Sequence, residues 1–157
     1  MLDLQKSLSP LVFPKSVDEF LCEYWNQRGV YLPGEPDRFS GLFDSNEFLR
    51  TAAGVPVLKS VSMRSGVQTE KKIRPGEIQK ALDAGETVCA GVVNSRCSHL
   101  QVLVSQFSSH FTTMGEYYFN SYYSPPGKGF VLHFDDHPVW ILQIEGMKDW
   151  IMVSFLH

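Results

Sequence analysis

The spacing of apolar positions changes along the chain, from helical periods with short strands between them to strict alternation near the end. Over residues 17–27, Phe20 and Tyr24, with the neighbouring Leu21 and Trp25, form a stripe at helical spacing. Ser16 is placed to cap it, Glu19 follows three residues on, and Gly29 ends it. Residues 30–32 predict a short strand before the turn at Pro33-Gly34-Glu35-Pro36. Residues 45–51 predict a second helix, with Ser45 as cap and Glu47, Phe48 and Leu49 after it. Val57, Lys59, Val61 and Met63 alternate with Leu58, Ser60 and Ser62, so residues 57–63 predict a strand and Ser65-Gly66 its turn. Pro75 opens a helix over residues 77–84 that Gly85 stops, and residues 87–93 predict a buried strand. A further helix over residues 100–111 carries Leu100, Leu103, Val104 and Phe107 on one side.

From Glu116 onward strands are predicted throughout. Residues 117–123 make an aromatic strand, Pro125 to Gly129 a turn, and residues 131–136 and 139–144 two more strands. Glu145-Gly146 then turns the chain into a last strand over residues 150–155. Helices first and strands last suit a mostly β fold with N-terminal helices, a partial double-stranded β-helix of the jelly-roll kind. A doubly wound α/β protein would alternate the two elements throughout. The expected organisation is a helical and strand layer over residues 1–115 leading into the first barrel strands over residues 116–157.

Composition agrees with one folded core: 157 residues, 43% hydrophobic and 13% aromatic. With 14 Lys and Arg against 17 Asp and Glu, the net charge is -3 and there is no basic block, so direct nucleic-acid binding is not expected; Lys71, Lys72 and Arg74 make at most a local basic patch. Cys22, Cys89 and Cys97 are odd in number and lack close ligand spacing, which reads as three free thiols. No uninterrupted apolar stretch is long enough for a membrane span and the N-terminus lacks a leader pattern. A cytoplasmic protein is expected, or a nuclear one in a eukaryotic cell.

The chemistry gathers in VLHFDDHPVW. Alternate strand side chains share a face, so His133 and Asp135 point together while Phe134 points away. An imidazole and a carboxylate suit non-haem Fe(II), and a second histidine from elsewhere would complete a two-histidine, one-carboxylate triad. An HxD triplet alone is unspecific, because such triplets arise by chance. Lys148 can equally be an exposed turn lysine. Asp136 and His137 read as a solvated loop, and Tyr117, Tyr118, Tyr122, Tyr123, Trp140 and Trp150 as sheet packing.

The run NSYYSPPGKGFVLHFDDHPVWILQIEGMKDW resembles the core of the JmjC-type ribosomal oxygenase group of cupin proteins. FLCEYWNQRGVYLPGEPDRFSGL, from Phe20 to Leu42, and LDAGETVCAGVV are similar to the segments that lead into it. The resemblance implies an Fe(II)- and 2-oxoglutarate-dependent oxygenase acting on a protein substrate. It makes His133 and Asp135 metal ligands, Lys148 the partner of the distal carboxylate of 2-oxoglutarate, and Asn120 a polar residue lining the same pocket. Val139, Ile141 and Gln143 would line that pocket while Trp140, Leu142 and Ile144 enter the core.

Two departures stand against that pattern. The family's second histidine follows several further strands, whereas this sequence stops at His157, itself a poor substitute one or two strands past the pair. The PPGKG loop is also one residue shorter than the usual form. A jelly roll lacking later strands would leave sheet edges unpaired and invite homo-oligomers. The competing expectation is therefore a catalytically inactive cupin-like module for binding or assembly. A zinc hydrolase is disfavoured because no HExxH arrangement occurs.

Overall fold

One face of a single antiparallel sheet collects the helices, and the other face mixes charged and polar side chains with buried Val61 and Cys89. A computed structural model of the chain describes residues 8–111 and 116–152. Helices α1 (Ser9–Val12), α2 (Val17–Glu23) and α3 (Ser45–Ala52) come first. Ser16 Oγ accepts the Glu19 N–H at 3.1 Å and opens α2. Asp44, one residue ahead of the expected serine, caps α3 by accepting the Glu47 N–H at 2.7 Å; its charged carboxylate also suits the positive end of the helix dipole. Helix α2 stops before Tyr24 instead of running to Gln27. There the side chains of Gln27 and Arg28 donate to the carbonyls of Cys22 and Glu23, while Asn26 takes a left-handed φ of 57°.

The sheet has the order β2-β1-β3-β4, built from β1 (Val57–Arg64), β2 (Val67–Lys72), β3 (Thr87–Gly91) and β4 (Ser121–Tyr123). Ser65 and Gly66 both have positive φ, 50° and 78°, so the two-residue turn matches strand twist and forces a hairpin with Arg64 opposite Val67. Its second arm, β2, is almost wholly polar, which is why periodicity did not reveal it. A short 3-10 turn (Pro75–Glu77) leads to α4 (Ile78–Asp83), and α5 (Ser98–His110) connects β3 to β4.

Leu58, Val88 and Ala90 face the helices and are buried with Phe48, Leu100, Leu103 and Phe107. Tyr123 meets Phe48 of α3 edge to face at 5.6 Å. This four-stranded sheet with its helical layer is the partial barrel expected from the order of elements. Strand β4, downstream of residue 115, pairs with β3 upstream of it.

Several strands are shorter than predicted, or absent. Strand β3 ends at Gly91 because Val92 adopts φ 57°. Asn120 Oδ1 accepts the Val92 N–H at 3.2 Å, and Val93 and Asn94 bond to Phe119. Strand β4 begins only at Ser121, since Tyr117 and Phe119 turn their rings onto Phe107. Residues 30–32 are not a strand. The carbonyls of Leu32 and Pro33, with those of Pro10, Leu11 and Phe13, accept from the Arg38 guanidinium at 2.8–3.3 Å.

Residues 131–136 and 139–144 run outside any ladder, as do 150–152; residues 153–155 and His157 lie outside the described residues. In the first of these segments the backbone of Val131 is met by side chains. The Val131 N–H donates to Gln68, the Val131 carbonyl meets the His133 ring, and Pro138 has no N–H to offer. The second segment keeps its alternation without the ladder: Trp140, Leu142 and Ile144 pack on the core, and Val139 and Ile141 are exposed.

Candidate functional site

Pairing register sets the floor of the site. Lys59 of β1 lies opposite Cys89 of β3, and Cys89 opposite Tyr122 of β4, so these three side chains form one row on the face away from the helices. Glu70 of β2 joins the row through a Lys59 Nζ to Oε2 bond of 2.6 Å, which raises the Lys59 pKa. Burial pushes the Cys89 thiol up to about 11. Partial burial likewise raises the Tyr122 phenol, and the Cys89 thiol and the Asp135 carboxylate add to that effect.

The chain returns across this floor after β4. Phe130 meets the Tyr122 ring edge to face at 5.3 Å and the His133 ring at 6.3 Å. His133 Nε2 stands 3.9 Å from Asp135 Oδ2, with both side chains about half exposed, while Leu132 and Phe134 protrude into solvent. The two candidate ligands thus share a side, as alternation requires, although no ladder holds them. His133 Nδ1 lies 2.8 Å from the Val131 carbonyl, which can only accept, so Nδ1 donates there and Nε2 is left directed toward Asp135.

Lys148 approaches from the far side. Its ammonium lies 5.1 Å from the Phe130 ring centroid and 5.0 Å from that of Trp150, so Phe130 neighbours both Lys148 and His133. Desolvation holds its pKa below the usual lysine range, and among the described residues no carboxylate pairs with it. The turn before it, where Gly146 has φ 71°, is fastened by Glu145 Oε1 accepting the Ser45 N–H at 2.9 Å. Asn120 sits at the edge of the same face. Its Oδ1 is committed to the Val92 amide.

The donor set fits part of an iron site. Two ligands on one octahedral ion, each bonded at about 2.1 Å, stand about 3 Å apart, so His133 Nε2 and Asp135 Oδ2 need to close by only about 1 Å. Among the described residues no third His, Cys, Asp or Glu completes a metal cluster. Asp136 and His137 pair with each other at 2.9 Å in the exposed loop. Sequence reasoning missed Lys59, Glu70, Gln68 and Phe130. Its one available signal was the Ser65-Gly66 turn, which implies a second hairpin arm whose alternate residues face this floor.

A JmjC domain family pattern matches residues 96–156. Ribosomal oxygenase 1 of Gallus gallus is 26% identical over 155 residues, covering 89% of this chain and 25% of the relative. The bifunctional lysine-specific demethylase and histidyl-hydroxylase NO66 of Dictyostelium discoideum is 28% identical, covering 91% and 30%. Ribosomal oxygenase 1 of Danio rerio is 27% identical over 151 residues, covering 89% and 27%. The chain spans between a quarter and a third of the length of these relatives. The chain is thus similar at low identity, over most of its length, to ribosomal oxygenases, and over residues 96–156 to the JmjC domain family.

Proposed function

We propose that this chain is a cupin-like binding and assembly module, holding a metal and a dicarboxylate in a half-open site without turning them over by itself. The observation that carries this reading is that, among the described residues, only two donors, His133 and Asp135, come together, with a desolvated Lys148, which no described carboxylate pairs, on the Phe130 ring beside them. His133 and Asp135 would hold Fe(II), and Lys148 would neutralise the distal carboxylate of 2-oxoglutarate; two protein ligands hold an ion more weakly than three. Iron, when bound with a third ligand, supplies the activation of oxygen in this superfamily.

Assembly follows from the surface around the site. Among the described residues strands β2 and β4 each pair on one side only, and Leu132, Phe134, Val139, Ile141, Met147 and Ile151 are exposed. Among the described residues no helix is long and apolar enough to cross a membrane. The module reading expects a dimer or larger species by light scattering. It also expects weak binding of Fe(II) with 2-oxoglutarate that His133→Ala abolishes and Lys148→Met weakens at least tenfold, with oxygen-dependent succinate release at background. A monodisperse monomer that releases succinate would overturn it.

The second reading is an active Fe(II)- and 2-oxoglutarate-dependent protein hydroxylase whose third ligand comes from outside the described residues. It is favoured by the coincidence of His133, Asp135 and Lys148 on one sheet face within the matched JmjC region. Succinate formation that stops in Asp135→Ala supports it over the first.

A further inference from the structure

Strand β2 lies on the outer edge of the sheet, yet it reaches the ligand pair through an unbroken line of polar contacts. Gln68 and Glu70 are two residues apart and share the face that carries Lys59. Lys59 Nζ donates to Glu70 Oε2 at 2.6 Å, and Gln68 Nε2 donates to Glu70 Oε1 at 3.3 Å. The amide of Gln68 is thereby oriented, because its nitrogen faces a carboxylate and its oxygen must face the other way. That oxygen accepts the Val131 N–H at 3.2 Å, a contact spanning 63 positions in sequence. The carbonyl of the same Val131 accepts from His133 Nδ1 at 2.8 Å.

We infer that Gln68 is a positioning residue for His133: held by Lys59 and Glu70, it anchors Val131 by its N–H, and so the residue whose carbonyl, in the next peptide unit, selects the imidazole tautomer with Nε2 directed toward Asp135. The inference deepens the metal-binding reading and rests on it for its purpose, though not for its test. The geometry requires the tether because residues 131–136 have no ladder to hold them. One side-chain amide does the work a neighbouring strand would do in a closed barrel. Without it Val131 loses its anchor and the following peptide unit can reorient, so that either imidazole nitrogen can carry the proton. Partners of this kind around a metal-bound histidine affect metal affinity by about 10- to 100-fold.

The test uses the full chain free of metal, with 15N-labelled histidine, and reads the tautomer of His133 from its ring nitrogen shifts; His133→Gln assigns the signals. Wild-type protein is expected to show the form protonated at Nδ1, and Gln68→Met a mixture of the two tautomers. Thr69→Val serves as the control for a merely structural change in β2. It removes the Thr69 to Ser62 hydroxyl bond of 2.8 Å on the opposite face of the strand and should leave the tautomer as in wild type. Co(II) titration gives the second readout, with at least a tenfold weaker affinity expected for Gln68→Met and no change for Thr69→Val. An unchanged tautomer in a folded Gln68→Met chain overturns the positioning role, as does an equal shift in Thr69→Val. Absence of Co(II) binding to wild type, with the tautomer shift intact, removes the metal-binding reading and leaves the positioning role standing.

Discussion

Trp140→Ala tests whether the unladdered segment after His133 is anchored to the helical layer. The indole lies 4.8 Å from the Phe107 ring, edge to face, 4.9 Å from Phe20 and 5.8 Å from Phe111, so it joins α2 to α5. An indole buries roughly 200 Å² when fully enclosed, and Trp140 is partly buried against the core, so roughly 120 Å² leaves water. At about 25 cal/mol per Å² that contributes about 3 kcal/mol. The edge-to-face pair with Phe107 adds about 1 kcal/mol. Alanine keeps a little of the burial, and a compact unfolded chain lowers the total, which leaves an expected loss of about 3–4 kcal/mol. Urea unfolding followed by far-ultraviolet circular dichroism measures it, with Ile141→Ala as the exposed neighbour expected to stay within about 0.5 kcal/mol of wild type. A Trp140→Ala loss below about 1 kcal/mol at an unchanged m-value, or equal losses in both variants, would refute the claim that alternation alone docks this segment.

Glu86 is buried, and the Ser60 hydroxyl, then Lys71, hold its carboxyl below the ordinary value of 4.5. A depressed folded pKa contributes stability above about 4.5 that is lost as pH falls through the folded value, so wild type and Glu86→Gln should converge in urea midpoint between neutral pH and pH 3; parallel curves would contradict this. Cys22 is exposed whereas Cys89 and Cys97 are buried with raised pKa values, so a disulfide reagent at pH 8 should titrate one thiol in the native chain and three in denaturant. Arg38→Ala leaves five backbone carbonyls without their shared donor and should cost about 2–3 kcal/mol in chemical unfolding, with Arg38→Lys recovering only part because an ammonium cannot span them.

Local rules made the first half of the fold legible. Ser16 and the stripe of Phe20 and Tyr24 located α2, and alternation from Val57 to Met63 located β1. The Ser65-Gly66 turn marked the hairpin, but β2 itself escaped because Gln68, Glu70 and Lys72 give no apolar alternation against Thr69 and Lys71. The candidate site was legible as residue types at a spacing, and His133 with Asp135 does share a side. What could not be read was how that side is held. The pattern of residues 131–136 is a strand pattern, yet strands exist only as pairs, and whether a partner lies alongside is a tertiary fact. The same limit applies to Asn120, whose amide is committed to a left-handed Val92 that no local preference foretells.

The bond between Glu145 and the first residue of α3 closes a separation of 100 positions. Contacts of such high order form late, since the intervening chain must already be arranged before they return any stability. The lysine-bearing turn should therefore be among the last parts to settle during refolding, and α3 must be in place before it can. Once clipped, turn and helix end open together, so the amide of Ser45 should exchange with solvent at the rate set by excursions of the Glu145 turn, reporting on the anchor from a residue 100 positions away in sequence.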